Sequence, residues 1–176
     1  MSLNLAKCIK SYPDFPKKGI IFRDFLPLVE NGKALHIMVN KITRFASSLH
    51  VNVIVGPEAR AFLIGPPAAY KLGIGFVPAR KPGKLPGNHV SASYGLEYGK
   101  STLEMETGSI KPGERVLIVD DLIATGGTAN ATINLVKKLG GKVVGAAFVI
   151  ELSKLNGRNA IRKHLDEHNF ISLIKY

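Results

Sequence analysis

Three things are scarce in this chain: it has one cysteine, no apolar run of membrane-spanning length, and only 13 acidic residues against 24 lysines and arginines. A lone Cys8 cannot close an internal disulfide, which agrees with a reducing compartment, and it reads as a half-buried core residue of the first helix rather than as a nucleophile. The segment Met1 to Lys18 lacks a long apolar core and shows no signal-peptide layout, so the expected location is the cytoplasm, with no membrane partner. Repeats and low-complexity linkers are also missing, and 176 residues fill one domain without room for a second. With 45% hydrophobic and 21% charged residues, the composition is that of a folded globular protein. The shortage of acid leaves a formal charge of +11, which favours polyanionic partners and admits both nucleic acids and substrates carrying several phosphates. Lysine and arginine are spread along the chain, without an RNA-binding signature or an obvious helix-turn-helix pattern. The tightest functional cluster is Arg80, Lys81 and Lys84, whereas Lys137-Lys138 and Arg162-Lys163 read as solvated helix faces.

What the chain does have is concentrated between Val116 and Thr128. Val116 to Val119 is an apolar, β-branched run suited to a strand covered on both faces, as in a parallel sheet flanked by helices. Asp120-Asp121 follows directly, and two adjacent carboxylates carry a repulsion and desolvation cost unless they meet water, a cation or hydroxyl donors. The carboxyl end of such a strand is where ligands bind in open α/β sheets. Thr125-Gly126-Gly127-Thr128 then lets the backbone turn sharply toward an anion. The pattern predicts a helix from about Thr128 to Leu139, with Ala131, Leu135, Val136 and Leu139 apolar and Gly140-Gly141 as the stop. Its unpaired first N–H groups and dipole, with the Thr125 and Thr128 hydroxyls, make a phosphate site.

Elsewhere the spacing predicts an amphipathic helix over Asn31 to Leu49 with Asn31 as N-cap, then a strand over Val51 to Val55 closed by Gly56-Pro57. Ala59 to Leu72 is helical in pattern, and Gly65-Pro66-Pro67 must interrupt or kink it. Strands are expected at Ile74 to Ala79, Thr102 to Glu106, Lys142 to Ile150 and Phe170 to Ile174, with a long loop from Lys81 and a polar helix near Arg158 to Glu167. Val116 to Ile150 makes a right-handed βαβ unit. The fold class is α/β, a single domain over residues 1–176 with a mainly parallel central sheet flanked by helices. The amino-terminal region, approximately residues 1–30, is irregular in pattern and is expected to form a cap over the sheet's carboxyl edge.

Val116 to Thr128 resembles the phosphoribosyl-diphosphate signature of the type I phosphoribosyltransferases, in which the acidic pair holds ribose hydroxyls and the following loop, here Ala124 to Thr128, holds the 5′-phosphate. The resemblance covers nearly the whole chain and narrows to the adenine-specific members. Tyr12-Pro13-Asp14-Phe15-Pro16 and Gly19 to Asp24 resemble their hood. That implies stacking of Phe22 on the purine and reading of the base edge by the backbone of Ile21 and Arg23. Gly56-Pro57-Glu58-Ala59-Arg60 resembles the pyrophosphate loop, with a cis peptide expected at Glu58-Ala59 and Arg60 on the diphosphate, a role suited to a guanidinium's paired donors. Arg80, Lys81 and Lys84 match the basic positions for the diphosphate. Ser93 to Gly99 matches the flexible catalytic loop, with Glu97 as general acid/base and Tyr98 on the diphosphate side. Leu152 matches an apolar contact to adenine. Two departures touch the pyrophosphate region: Ala61 stands where glycine is usual, and Pro66-Pro67 is unusual.

The resemblance thus implies conversion of adenine and phosphoribosyl diphosphate to AMP and pyrophosphate in purine salvage. It implies Mg²⁺ held mainly by substrate, with no metal ligand assigned in the protein, no nucleic-acid partner, and a homodimer. Asp120, Asp121 and Glu97 are the catalytic candidates. Closing the Lys84 to Lys100 loop would exclude water. Two motifs are decoys. Gly95 to Ser101 has three residues between its glycines where an ATP-binding P-loop needs four. His164-Leu165-Asp166-Glu167-His168 fits a zinc-peptidase pattern without a third ligand, and His36, His50 and His89 have no ligand spacing. Two rivals share the signature: a transferase for 6-oxopurines or orotate, differing at the hood and Glu97, and a nucleic-acid-binding regulator on the same fold with a contiguous basic face.

Overall fold

A computed structural model of the chain describes residues 3–96 and 99–176. Five parallel strands form its centre in the order β4-β3-β7-β8-β9: β3 (Val53–Pro57), β4 (Gly75–Ala79), β7 (Arg115–Ile123), β8 (Lys142–Glu151) and β9 (Phe170–Lys175). Two antiparallel hairpins accompany the sheet. One is made by β1 (Lys10–Pro13) and β2 (Ile21–Asp24), the other by β5 (His89–Leu96) and β6 (Gly99–Glu106).

The continuous apolar strands are explained by coverage on both faces. Along β7, Leu117 and Val119 point with Ile54, Ala147 and Val149 into one core. That core is closed by α2 (Gly32–Ser48) and α3 (Gly65–Leu72). Val116 packs with Val53 and Val55, and Ile118 with Ala146 and Phe148, on the opposite face. There α4 (Gly127–Lys138) contributes Ala131, Ile133, Leu135 and Val136. The period of two assigns neighbours to different layers. Each fully buried aliphatic side chain is worth about 1.5–3 kcal/mol.

Most of the anticipated elements are present, with shifted bounds. Asn31 caps α2, its Oδ1 accepting from the N–H groups of Lys33 and Ala34 at 3.1 Å each. The interruption expected at Gly65-Pro66-Pro67 falls between a 3₁₀ turn, Arg60–Leu63, and α3. The prolines occupy the first helical positions, where a missing N–H costs nothing. Gly65 allows the turn to press on Phe76: a Cβ there would lie 2.2 Å from the ring.

Four expectations need correction. The strand at the signature does not end at Val119: it continues through Asp120 and Asp121 to Ile123, because β8 stays paired alongside, with Asp120 opposite Phe148 and Leu122 opposite Ile150. The expected Lys84 to Lys100 loop is largely a hairpin, registered from His89 opposite Glu106 to Leu96 opposite Gly99. The polar helix near Arg158 to Glu167 shrinks to α5 (Gly157–Ile161), a turn and a 3₁₀ turn at Glu167–Asn169. One turn suffices to bury Ile161 and Leu165, with Leu165 N donating to Ile161 O at 3.2 Å. Cys8 is half-buried as anticipated, in a 3₁₀ turn rather than an α-helix.

From β3 the chain moves outward to β4, and after the β5–β6 hairpin it returns to β7 on the other side of β3. The carboxyl ends of β3 and β7 therefore flank a topological switch point, where open α/β sheets bind ligands.

Candidate active site

A cavity of about 270 Å³ opens at that switch point. Its lining brings together Glu58, Ala59 and Arg60 after β3, Asp120 and Asp121 near the end of β7, and the loop Ala124 to Thr128. The Glu58–Ala59 peptide is cis, as anticipated. Arg60 spans the two strands, its Nε 3.0 Å from Asp121 Oδ2. Its guanidinium also lies 5.6 Å from the centre of the Phe22 ring, so the hood approaches the same cavity.

Both aspartates titrate above the ordinary carboxylate range. Burial is the main cause for Asp120, followed by the charge of Asp121. Burial also raises Asp121, against the opposing pull of Arg60. The Asp121 N–H donates to Asp120 Oδ1 at 2.9 Å. This pair is costly to keep charged and short of donors, which is the condition of a site awaiting hydroxyls or a cation.

The neighbouring loop depends on glycine at two close approaches. Gly126 adopts φ +85°, and a Cβ on it would meet Gly157 O at 2.8 Å; a Cβ on Gly157 would meet Ala124 O at 2.2 Å. Gly126 offers no side-chain cap to α4, so the first N–H groups of the helix face the cavity region.

Glu58 fixes the next set of residues. Its Oε2 accepts from Arg80 Nε and from Lys81 N, each at 2.9 Å, and its carboxyl is lowered by the Lys81 N–H first and by Arg80 second. Arg80 and Lys81 thus sit beside the cavity rather than in its lining. Lys84 follows one turn later, its N–H donating to Lys81 O at 3.3 Å. Ala61 leaves the loop intact: it is fully buried, and the space for its methyl exists because Gly56 lacks a Cβ, which would lie 2.8 Å away.

The segment expected to form the hood folds as the β1–β2 hairpin. Asp14, at φ +58°, accepts Gly19 N–H at 2.7 Å, and Phe15 meets Phe22 edge-on at 5.3 Å. Ile21 is half exposed. Arg23 donates to Ser11 Oγ and lies 3.9 Å over the Tyr176 ring. Tyr176 N donates to Glu151 O, and Ser153 N to Tyr176 O. Leu152 N donates to Ile123 O at 3.0 Å, which ties Leu152 to the end of β7, next to the cavity lining. The segment is held by Glu151, whose buried carboxylate takes both Arg158 Nε at 3.2 Å and Nη2 at 3.0 Å and accepts from Ser172. Burial pushes the Glu151 carboxyl up, and Arg158 and Ser172 outweigh it, so the net direction is down.

Glu97 and Tyr98 lie outside the described residues. Sequence reasoning missed Tyr94, Leu122, Ile123, Ala129 and Phe148 in the lining. Tyr94 had a usable signal: Val90, Ala92 and Tyr94 alternate with serines, and they line one side of a hairpin strand. His164 of the zinc-like pattern faces Lys137, with Nδ1 2.9 Å from Nζ; burial, then Lys137 and Lys163, lowers its basicity. Among the described residues no group of three or more His, Cys, Asp or Glu is placed to hold a metal ion. Within the same residues, no helix is long and apolar enough to cross a membrane.

Residues 29–173 match the phosphoribosyl transferase domain family. A curated adenine phosphoribosyltransferase from Oenococcus oeni is 54% identical over all 176 residues, covering the whole of both chains. The crystal structure of adenine phosphoribosyltransferase from Thermoanaerobacter pseudethanolicus superposes with a TM-score of 0.91 at 45% identity, covering 98% of each chain. That of the Saccharomyces cerevisiae enzyme, complexed with adenine and an imino-altritol bisphosphate, gives 0.88 at 39% identity over 96% of each.

Proposed function

The chain belongs to the phosphoribosyltransferase family, among its adenine phosphoribosyltransferases, and from that membership we propose how its own residues divide the work of making AMP. The reaction joins a purine nitrogen of adenine to the anomeric carbon of phosphoribosyl diphosphate; the bond from that carbon to the diphosphate oxygen breaks, and pyrophosphate leaves. The observation that carries the assignment is the Arg60–Asp121 contact of 3.0 Å. It joins the loop after β3 to the acidic pair of β7 in one cavity closed by Ala124 to Thr128.

Asp120 and Asp121 accept the ribose hydroxyls, which supply the donors the buried pair lacks, and their charge favours the cationic sugar that develops as the diphosphate departs. The backbone of Ala124, Thr125, Gly126, Gly127 and Thr128 holds the 5′-phosphate at the start of α4. Arg60, Arg80, Lys81 and Lys84, with backbone groups of Glu58 and Ala59, hold the diphosphate, and Tyr98 contacts the same side. Phe22 stacks on adenine, the backbone of Ile21 and Arg23 reads its edge, and Leu152 packs against it. Glu97 takes the proton that the attacking purine nitrogen gives up.

The residues at the cavity suit a Mg²⁺–diphosphate chelate, since carboxylate oxygens adjoin a phosphate cradle and Mg²⁺ keeps most of its ligands as water and phosphate oxygens. When bound, the ion neutralises charge on the leaving diphosphate. Residues 1–176 act as one domain, with residues 1–30 as its hood. The protein works as a cytoplasmic homodimer on small molecules, with no nucleic-acid or membrane partner.

The test is pyrophosphate release from phosphoribosyl diphosphate and Mg²⁺ with adenine, hypoxanthine, guanine and orotate in parallel. Turnover with adenine alone is expected. Turnover with another base would keep the phosphate site and overturn the hood assignment, and silence with all four would overturn the transfer reaction itself.

A further inference from the structure

Glu104 is a buried carboxylate, 8% exposed, that the reaction as described does not use. Among the described residues, the buried acids Asp121 and Glu151 sit against arginines, Asp121 against Arg60 and Glu151 against Arg158. Glu104 is turned instead toward a loop. Its Oε2 accepts from Gly83 N at 3.3 Å, and its Oε1 lies 3.4 Å from His89 Nε2. These contacts tie the irregular stretch between β4 and β5 at Gly83 and where it enters β5 at His89. Its backbone continues the hold: Glu104 N donates to Arg80 O, and Arg80 N to Glu104 O, each at 2.8 Å. Glu58 takes the Arg80 side chain and Lys81 N–H. Residues 80–83 are therefore held by two carboxylates, Glu58 at Arg80 and Lys81 and Glu104 at Gly83. Burying a carboxylate costs free energy that an apolar residue at the same place would not incur.

We propose that Glu104 is a positioning residue for diphosphate binding, acting through Gly83 and His89 to hold Lys81 and Lys84 where the leaving group needs them. The inference rests on the assignment of those two lysines to the diphosphate. Gly83 permits the geometry with φ +75°, and Gly87, at φ +68°, presents its carbonyl to His89 Nδ1 at 3.1 Å. A carbonyl only accepts, so Nδ1 carries the proton of that bond. Glutamine at 104 retains the size of the native side chain and an acceptor for Gly83 N–H.

The experiment compares Glu104→Leu, Glu104→Gln and His89→Leu with the native enzyme, reading kcat, both KM values and pyrophosphate affinity by calorimetry with Mg²⁺. Lys84→Ala serves as control. In Glu104→Leu, the KM for phosphoribosyl diphosphate and the Kd for pyrophosphate should each rise about tenfold, with the adenine KM within about twofold of native. Glu104→Gln should recover most of the loss. If Lys84→Ala leaves pyrophosphate affinity unchanged, the lysine assignment has failed. If Lys84→Ala weakens it and Glu104→Leu does not, or if Glu104→Leu raises both KM values alike, the positioning role is overturned. Should Glu104→Leu not fold, His89→Leu decides. It is expected to weaken pyrophosphate about threefold, and no change overturns the proposal.

Discussion

The two walls of the cavity are built in opposite ways. One wall, Asp120 to Thr128, is a single stretch of chain running from a strand into a helix. The other is assembled from the loop after β3 and Tyr94 of the β5–β6 hairpin, with the amino-terminal hairpin and residues 80–83 joined to it by contacts such as Arg60–Phe22, Glu58–Arg80 and Glu104–Gly83. A wall made of neighbours in sequence is stiff by covalent connection. A wall made of distant parts is positioned by side chains, and it can change its base or its mobility without disturbing the phosphate site.

The largest effect is expected at Glu97, proposed to take the purine's proton. Glu97→Gln should lower kcat by about 10²–10⁴ with little change in either KM; unaltered turnover in steady-state assays would remove it from proton transfer. Next is the contiguous wall. Gly126→Ala puts a methyl 2.8 Å from Gly157 O at φ +85°, and displacing the phosphate loop by an ångström should cost about 10²-fold in kcat/KM. The loss should appear with every base offered, and a loss confined to adenine would contradict the division.

Phe22→Ala addresses the assembled wall alone. It should raise the KM for adenine about tenfold, as stacking on an aromatic ring is worth about 1–3 kcal/mol, while pyrophosphate binding stays native. The smallest effect concerns stability and pH. Asp120 and Asp121 have raised carboxyls in the folded protein. Their contribution to stability is therefore full below the unfolded value near 3.8 and is lost as pH rises through the folded value. At neutral pH the unliganded pair is a burden. Asp120→Asn, which retains an acceptor for the Asp121 N–H, should raise the ligand-free Tm by about 2–4 °C at pH 7 while lowering activity. An unchanged or lower Tm in scanning calorimetry would contradict the sign.

How much of this was legible in the sequence follows the same division. The β7–α4 unit announced itself because strand, acids, glycines and helix are consecutive, and only its boundary was misread. The strand runs past Asp120 because β8 pairs beside it, and a partner 28 residues downstream is invisible in a local window. Pro66-Pro67 looked like a break and is a helix start, since a proline's missing N–H is harmless in the first turn. The β5–β6 hairpin hid behind Pro86 and Gly87, although Val90, Ala92 and Tyr94 carried the alternation. Glu104 resisted reading altogether. Within an alternating strand it is a surface acid, and only the fold shows that its flank faces Gly83 and His89. The hood and Leu152 were reached through resemblance, because a base read by backbone atoms leaves little trace in side chains.

The switch point also has a kinetic meaning. Two stretches of the sheet can form locally: β3–α3–β4, and β7–α4–β8 with β9 alongside. Within the sheet they are joined by the β3–β7 pairing. That seam closes a long excursion, as in the Arg115 N to Asn52 Oδ1 bond across 63 residues, and loop closure must come before the contacts that reward it. Arg60 and Asp121 stand on opposite sides of the same seam. The Arg60–Asp121 contact therefore forms only when the halves dock, and on refolding from denaturant substrate binding is expected to recover after most of the helical signal has returned.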